Sequence, residues 1–425
     1  MIMINENRSV KRHYLQLGVI LSFGILGVFK YSNFFLSSFN GLLSVLGVQA
    51  NTSLTSIFFP IGISFFTLQI IGYLIDVYNE TTAAELNFGK YALSIAFFPK
   101  LISGPLERVA YLLPELSKKV TFNYDNFSSG MIRIGWGFWK KLVIADRLAA
   151  VTDAVFSNPY SFSGSNLAIA VLLYSLQIYA DFSAYCDIVI GMAQILGIKL
   201  TENFNYPYFA TSPIDFWRRW HITLSNWLRD YLFYPLNFAS RRNRSPWVPI
   251  RNIMLVFLFS GLWHGANWTF IIWGGLHGLY QSVELALQRR AKAKKIKPTP
   301  SRWRTPLGII VTFGLVTFAW IFFRANNVGD AFYIIKTILV MGNVPSETVL
   351  WTFTTPFERM VVIGLLLTFV LLEIAQYRLK VPVWEQIRTS PLPIRWTLSL
   401  ILIYSVIIFG YYGANNPSAF IYTGF

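Results

Sequence analysis

Apolar residues gather into long runs along this chain, separated by short polar and basic patches. Leu15–Phe35, Ile57–Val77, Leu167–Ala180, Ile250–Leu262, Trp268–Leu287, Leu307–Phe323, Met360–Ala375 and Trp396–Tyr412 are the clearest. Runs near the ~20 residues that cross a bilayer as helix therefore recur, and the pattern predicts an all-α polytopic membrane protein. Between them lie half-apolar stretches rich in Trp, Tyr and Arg, chiefly Ser212–Phe238 and Asp330–Val340. Such stretches suit helices lying in the membrane interface. No internal repeat, low-complexity linker or composition shift marks a second unit, so residues 1–425 read as one membrane domain.

Two basic regions, Arg241–Arg251 and Arg289–Arg304, flank a segment with almost no charge that contains GLWHGANW (261–268). If both face the cytoplasm, residues 250–288 must enter the membrane and return. The first arm, Ile250–Trp263, is roughly 14 residues or about 21 Å of helix, against a hydrocarbon core of about 30 Å. The turn is then WHGAN, with Gly261 and Gly265 permitting the break, and His264 lies deep. Broken backbone at that depth is tolerated only where protein or a water-filled cavity surrounds it, so the imidazole is expected to line an internal cavity.

Composition strengthens the membrane reading. Of 425 residues, 54% are hydrophobic, 17% aromatic and 13% charged, where a soluble chain carries about a quarter charged. The net charge of +16 concentrates at Arg8–Arg12, Lys118–Lys119, Lys140–Arg147, Arg241–Arg251 and Arg289–Arg304, while Ser37–Ser56 and Ala154–Asn166 carry none. Lys and Arg gather in cytoplasmic loops. The charge therefore reads as a topology record with the N-terminus cytoplasmic and the lipid bilayer as partner, not as a nucleic-acid surface. One cysteine, Cys186, and four histidines, His13, His221, His264 and His277, leave no disulfide and no metal site to expect. The long first apolar run lacks a small-residue cleavage site, so no cleavable signal peptide is expected.

Ionisable groups inside membrane segments are functional candidates by default. A neutral imidazole at His264 could take a proton from an alcohol, a role typically contributing about 10²–10⁴ in rate; it could equally hydrogen-bond a neighbouring helix. In FWRRWHITLSNWLRDYLFYPL (216–236), helical spacing puts Trp217, His221, Leu224 and Leu228 on one face. Arg218, Arg219, Arg229 and Arg241–Arg244 could grip a phosphate-bearing donor or lipid headgroups. In YADFSAYCDIVIG (179–191), Asp181 and Asp187 fall on different helix faces, so each is expected to pair with an Arg or a backbone donor. In FFPKLISGPLER (97–108), Pro99, Gly104 and Pro105 interrupt a helix beside Lys100, Glu107 and Arg108, and a broken segment there would line the same cavity. His277 is expected to pack between helices.

These four motifs in this order resemble the membrane-bound O-acyltransferase family, MBOAT, and within it the bacterial branch of alginate O-acetyltransferase membrane subunits and their peptidoglycan relatives. NNPSAFIYTGF (415–425) is similar to that branch's usual ending, and the likeness runs from about Phe29 to the last residue. The resemblance implies a ring of tilted helices with re-entrant or broken helices around a central tunnel. Its catalytic histidine matches His264, and its second histidine matches His221. Members of the branch typically begin with two or three further spans, which do not precede Leu15 here, so the family's helix count and a fully formed external end are not carried over.

The reading that results is acetyl transfer from a cytoplasmic donor such as acetyl-CoA, with no bound cofactor, across a bacterial cytoplasmic membrane. The resemblance implies an exported partner of the SGNH esterase/transferase type, and polysaccharide O-acetylation as the outcome. His264 and His221 are the catalytic candidates. Trp217, Arg218, Arg219, Asn226, Arg229, Asp230, Trp263 and Asn267 are the donor-binding candidates. The alternatives are D-alanyl transfer to teichoic acid from a carrier protein, a transporter or flippase of a polymer precursor, and a secretion scaffold. A transporter usually shows paired broken helices in inverted repeats, which this sequence lacks.

Overall fold

A computed structural model describes residues 7–48, 60–243, 245–295, 303–341, 355–412 and 420–421. Every regular element among them is helical. Each of the eight apolar runs falls mainly on helix, with Pro60–Gly62 and Gly410–Tyr412 non-helical and residues 57–59 outside the described set. Five helical stretches are long and apolar enough to cross a bilayer: Arg8–Val45, Gly164–Ile195, Arg304–Arg324, Pro356–Leu379 and Leu392–Phe409. The chain is a multi-pass membrane protein.

Gly164–Ile195 is the buried axis, whereas Arg8–Val45 and Leu392–Phe409 keep most apolar side chains on the outside, as lipid-facing helices do. Small residues let a second helix, Tyr124–Phe138, press against this axis. A Cβ on Gly130 would come within 2.7 Å of the Gly191 carbonyl oxygen, and one on Gly191 within 2.8 Å of the Gly130 oxygen. Such close backbone approach is how membrane helices gain packing without a hydrophobic driving force between them.

The segment carrying GLWHGANW forms a helical hairpin of Trp247–His264 and Trp268–Ala293. The first arm is longer than the sequence suggested, with 18 residues or about 27 Å. Gly261 is not part of the break. It lies inside the helix, where a Cβ would sit 2.2 Å from the Phe270 carbonyl oxygen of the other arm, and Gly274 faces Phe257 in the same way. The chain leaves the helix at Gly265, in extended backbone, and Asn267 restarts it by accepting the Thr269 amide at 3.0 Å.

Two other expectations need correcting. The first is the shared face within Ser212–Phe238, a stretch that divides into Pro213–Trp217, Ile222–Leu228, a π segment Arg229–Phe233 and Tyr234–Ala239. His221 has a left-handed backbone, φ 44° and ψ 53°, which resets the helical phase. The shared face of Trp217, His221, Leu224 and Leu228 therefore does not exist as drawn from spacing. Lys140–Arg147 is not a loop. It belongs to a π segment, Trp139–Ala145, and the following helix Asp146–Ser157, and its cations are buried. Opposite charges drew them inside: Lys140 pairs with Asp187 at 2.7 Å, and Lys141 with Asp181 and Asp146 at 2.8 Å each.

Candidate active site

His264 is the last residue of the first hairpin arm and is 1% exposed. Aromatic edges hold its ring: Trp263 and Trp273 with centroids at 5.0 Å, and Phe323 at 5.5 Å. A helix end leaves its last carbonyls without intrahelical partners. The Gly261 oxygen accepts from the Gly265 amide. The next three are met from a π segment, Gly27–Tyr31, in the first helical stretch. Tyr31 donates to the Leu262 oxygen at 2.7 Å, and the Lys30 ammonium donates to the Trp263 oxygen at 2.6 Å and the His264 oxygen at 3.3 Å.

His221 is fully buried. Its Nδ1 lies 3.3 Å from the Asn203 side-chain oxygen, which already accepts from the Thr223 amide at 3.1 Å and hydroxyl at 2.9 Å. That oxygen can only accept, so Nδ1 donates and Nε2 is the basic nitrogen. The two histidines share one wall. Phe65 stacks near the His221 ring at 6.4 Å and meets Trp263 edge-on at 5.3 Å, and Trp263 abuts His264.

Two clefts approach this core, at different levels of the Gly164–Ile195 helix. One, about 440 Å³, is lined by Arg133, Lys140, Ser183, Asp187, Glu202 and Asn203 among others, and so reaches the partner of His221. The other, about 390 Å³, is lined by Lys141, Asp146, Asp181, Asn267, Phe270 and Phe323 among others, and so reaches the ring that flanks His264. Lys140 and Lys141, adjacent in sequence, thus face different clefts. Between the clefts runs a continuous train of ring contacts through His221, Phe182, Trp220, Trp320, Trp273 and His264.

The remaining candidates divide. Trp217 is core, donating through Nε1 to His277 Nδ1 at 3.2 Å, so His277 packs between helices as expected. Trp263 is also core and donates to the Ser64 oxygen at 3.2 Å. Arg218 is exposed and Asn226 half-buried. Arg219 pairs with Asp215 at 2.8 Å, and Arg229 with Asp230 at 2.8 Å, while Asp230 also takes Arg108. Asn267 lies apart from these, at the hairpin turn in the second cleft, and donates to the Asn326 oxygen at 2.9 Å. Arg241 and Arg242 are exposed, and Arg244 lies outside the described residues.

Asp181 and Asp187 hold structural pairs, Asp181 also accepting the Ile421 amide at 2.6 Å and Asp187 also taking Arg133 at 2.8 Å. Most of 415–425 lies outside the described residues. The 97–108 segment does break, into a 3₁₀ turn Phe98–Lys100 and a helix from Val109, but it lines neither cleft. Lys100 instead donates to Gln69 at 2.8 Å, and Glu107 accepts from Thr201.

Sequence reasoning missed Asn203 and Lys30. Asn203 sits in ordinary polar sequence and carries no signal. Lys30 does carry one, a lone cation inside the Leu15–Phe35 run, of the kind that marks function by default.

The model of the family described as MBOAT, membrane-bound O-acyltransferase, matches residues 82–325, which contain the three buried histidines, His221, His264 and His277. The chain is 41% identical over 337 residues to a protein of Pseudomonas aeruginosa named probable alginate O-acetylase AlgI, covering 79% of this chain and 62% of that one. It is 38% identical over 366 residues to the peptidoglycan O-acetyltransferase of Helicobacter pylori, covering 80% and 67%. It is 30% identical over 276 residues to the teichoic acid D-alanyltransferase of Bacillus subtilis, covering 63% and 69%. The chain spans a little under two thirds of the length of the alginate relatives it matches. A family model covering more than half the chain, on an all-helical membrane body with a buried histidine at a hairpin tip, places this protein in the membrane-bound O-acyltransferase family.

Proposed function

We propose that the chain is an O-acyltransferase moving an acetyl group from a cytoplasmic thioester, acetyl-CoA, to a hydroxyl on the outer side of a bacterial cytoplasmic membrane. The carrying observation is the placement of His264 and His221 in one buried core, each with a cleft reaching a residue beside it. In this reading the basic tract after Ala293 and the Arg8–Arg12 patch face the cytoplasm, so the hairpin turn and the Asn267 cleft face outward.

His264 takes the proton of the attacking hydroxyl, and the oxygen adds to the thioester carbonyl. The C–S bond then breaks, releasing an ester and a thiol whose proton balances the one removed. His221, its tautomer fixed by Asn203, presents Nε2 toward the reacting centre. Exposed Arg218 and the Arg219 and Arg229 pairs supply guanidinium forks for donor phosphates. Trp217 and Trp263 act as packing beneath the histidines, and Asn226, Asp230 and Asn267 as polar edges of the donor and acceptor approaches. The acceptor is a side chain of an exported SGNH-type protein that passes acetate to a polysaccharide. This reading is supported by relatives named for O-acetylation of alginate and peptidoglycan.

The test is polymer-bound O-acetate in cells carrying the wild-type chain or His264→Ala at matched membrane levels. Acetate disappears in the variant while polymer export continues. Unchanged acetate rules out the general base, and collapse of export favours a transport or scaffold role. D-alanyl ester in place of acetate would move the chain to the teichoic acid chemistry.

A further inference from the structure

Breaking a helix inside a membrane exposes carbonyls that lipid cannot satisfy. The break after His264 is completed by two adjacent residues of another helix, Lys30 and Tyr31, both outside the matched family region 82–325. Lys30 is half-buried, with its ammonium turned inward. An ammonium has three donors, and each finds an oxygen: Trp263 and His264 backbone, and the Ser64 hydroxyl at 3.1 Å. Ser64 in turn belongs to the Ile63–Tyr78 helix, whose Ser64 carbonyl holds the Trp263 indole. A cation at a helix C-terminus also meets the negative end of the helix dipole. The widened turn of the π segment at Gly27–Tyr31 carries Lys30 and Tyr31 onto successive carbonyls of the same helix end.

We propose that Lys30 is a positioning residue for His264: it fixes the backbone of the helix end that carries the imidazole, and so sets where that ring points. Lys30 touches the main chain on both sides of the His264 Cα rather than the ring, so its effect falls on the chemical step. This inference rests on the acyl-transfer reading for its catalytic consequence and on geometry alone for the pinning itself.

Two measurements on the purified full chain in detergent separate these. The first follows ester formation from acetyl-CoA on the hydroxyl of added SGNH-type acceptor protein for wild type, Lys30→Met, Lys30→Arg and Tyr31→Phe. A displacement of about 1 Å costs on the order of 10²-fold in rate, so K30M lowers kcat by about that factor with KM for acetyl-CoA within about twofold. K30R, which keeps a charge and donors, recovers a substantial part, and Y31F loses less than K30M. The second follows amide hydrogen exchange across 261–268, where K30M loses protection and K30R keeps it. Wild-type kcat in K30M, or K30R as impaired as K30M in both measurements, overturns the proposal. If the wild-type chain forms no ester, the acyl-transfer reading fails, and the exchange result still decides the pinning: unchanged protection in K30M overturns it.

Discussion

His221 adopts a left-handed backbone, φ 44° and ψ 53°, which a residue with a Cβ holds at a cost of roughly 1–3 kcal/mol. Such strain persists only where surroundings over-determine it, and here they do. The Asn203 side chain gathers the Thr223 amide, the Thr223 hydroxyl and the His221 ring onto one oxygen, with all three residues buried. Asn203→Ala leaves buried donors without their acceptor, and each such loss costs about 1–3 kcal/mol. The thermal midpoint of the detergent-purified variant should drop by several degrees and ester formation should fall with it. An unchanged midpoint with full activity would show that Asn203 does not hold His221. At this scale the sequence was half legible. His264 announced itself as an imidazole beside glycines within an uncharged run. The environment of His221 did not, because its partner is 18 residues away and its left-handed φ has no signature in a histidine.

At the scale of elements, two devices shape the core. One is the hairpin, whose arms touch through Gly261 and Gly274. The other is the π segment. Gly27–Tyr31, Trp139–Ala145 and Arg229–Phe233 are π-helical among the described residues, and each holds cations: Lys30, Lys140 with Lys141, and Arg229. Single π turns within α-helices occur often at functional sites, and in this chain they deliver charge where a regular helix would not. Apolar periodicity predicts where helices lie, but a one-residue insertion in helical register leaves no mark in it. Lys140–Arg147 read as a loop because Lys and Arg gather in cytoplasmic loops, and the carboxylate that draws Lys141 inside is 40 residues away.

The hairpin is directly testable. Gly261→Ala places a Cβ about 2.2 Å from a backbone oxygen that cannot move aside, so the arms must separate. Membrane abundance and thermal midpoint should both fall sharply. Gly275→Ala, where the nearest atom is a leucine methyl at 3.8 Å, should leave both near wild type and gain a little from helix propensity. Equal behaviour of the two variants would mean that the arms do not pack as described.

The whole molecule is organised by the buried axis Gly164–Ile195. Its Asp187 belongs to the cleft near His221, and its Asp181 to the cleft near His264. The carboxylates are neutralised by neighbouring lysines, since a buried charge without a partner is strongly destabilising. Ion pairs thus make the cleft walls, and the aromatic train with two histidines makes the partition. The central claim is that acyl chemistry crosses this partition at His264.

The measurement that tests it most directly uses inside-out vesicles from cells that also export the acceptor. Radiolabelled acetyl-CoA is supplied to the outward-turned cytoplasmic face, and alkali-labile ester is assayed inside the lumen. With the wild-type chain, label accumulates as lumenal ester, and His264→Ala reduces it by at least about 10²-fold at equal chain content. Lumenal ester at the wild-type level in the His264→Ala vesicles, or ester that forms only on the outer face, would contradict the account.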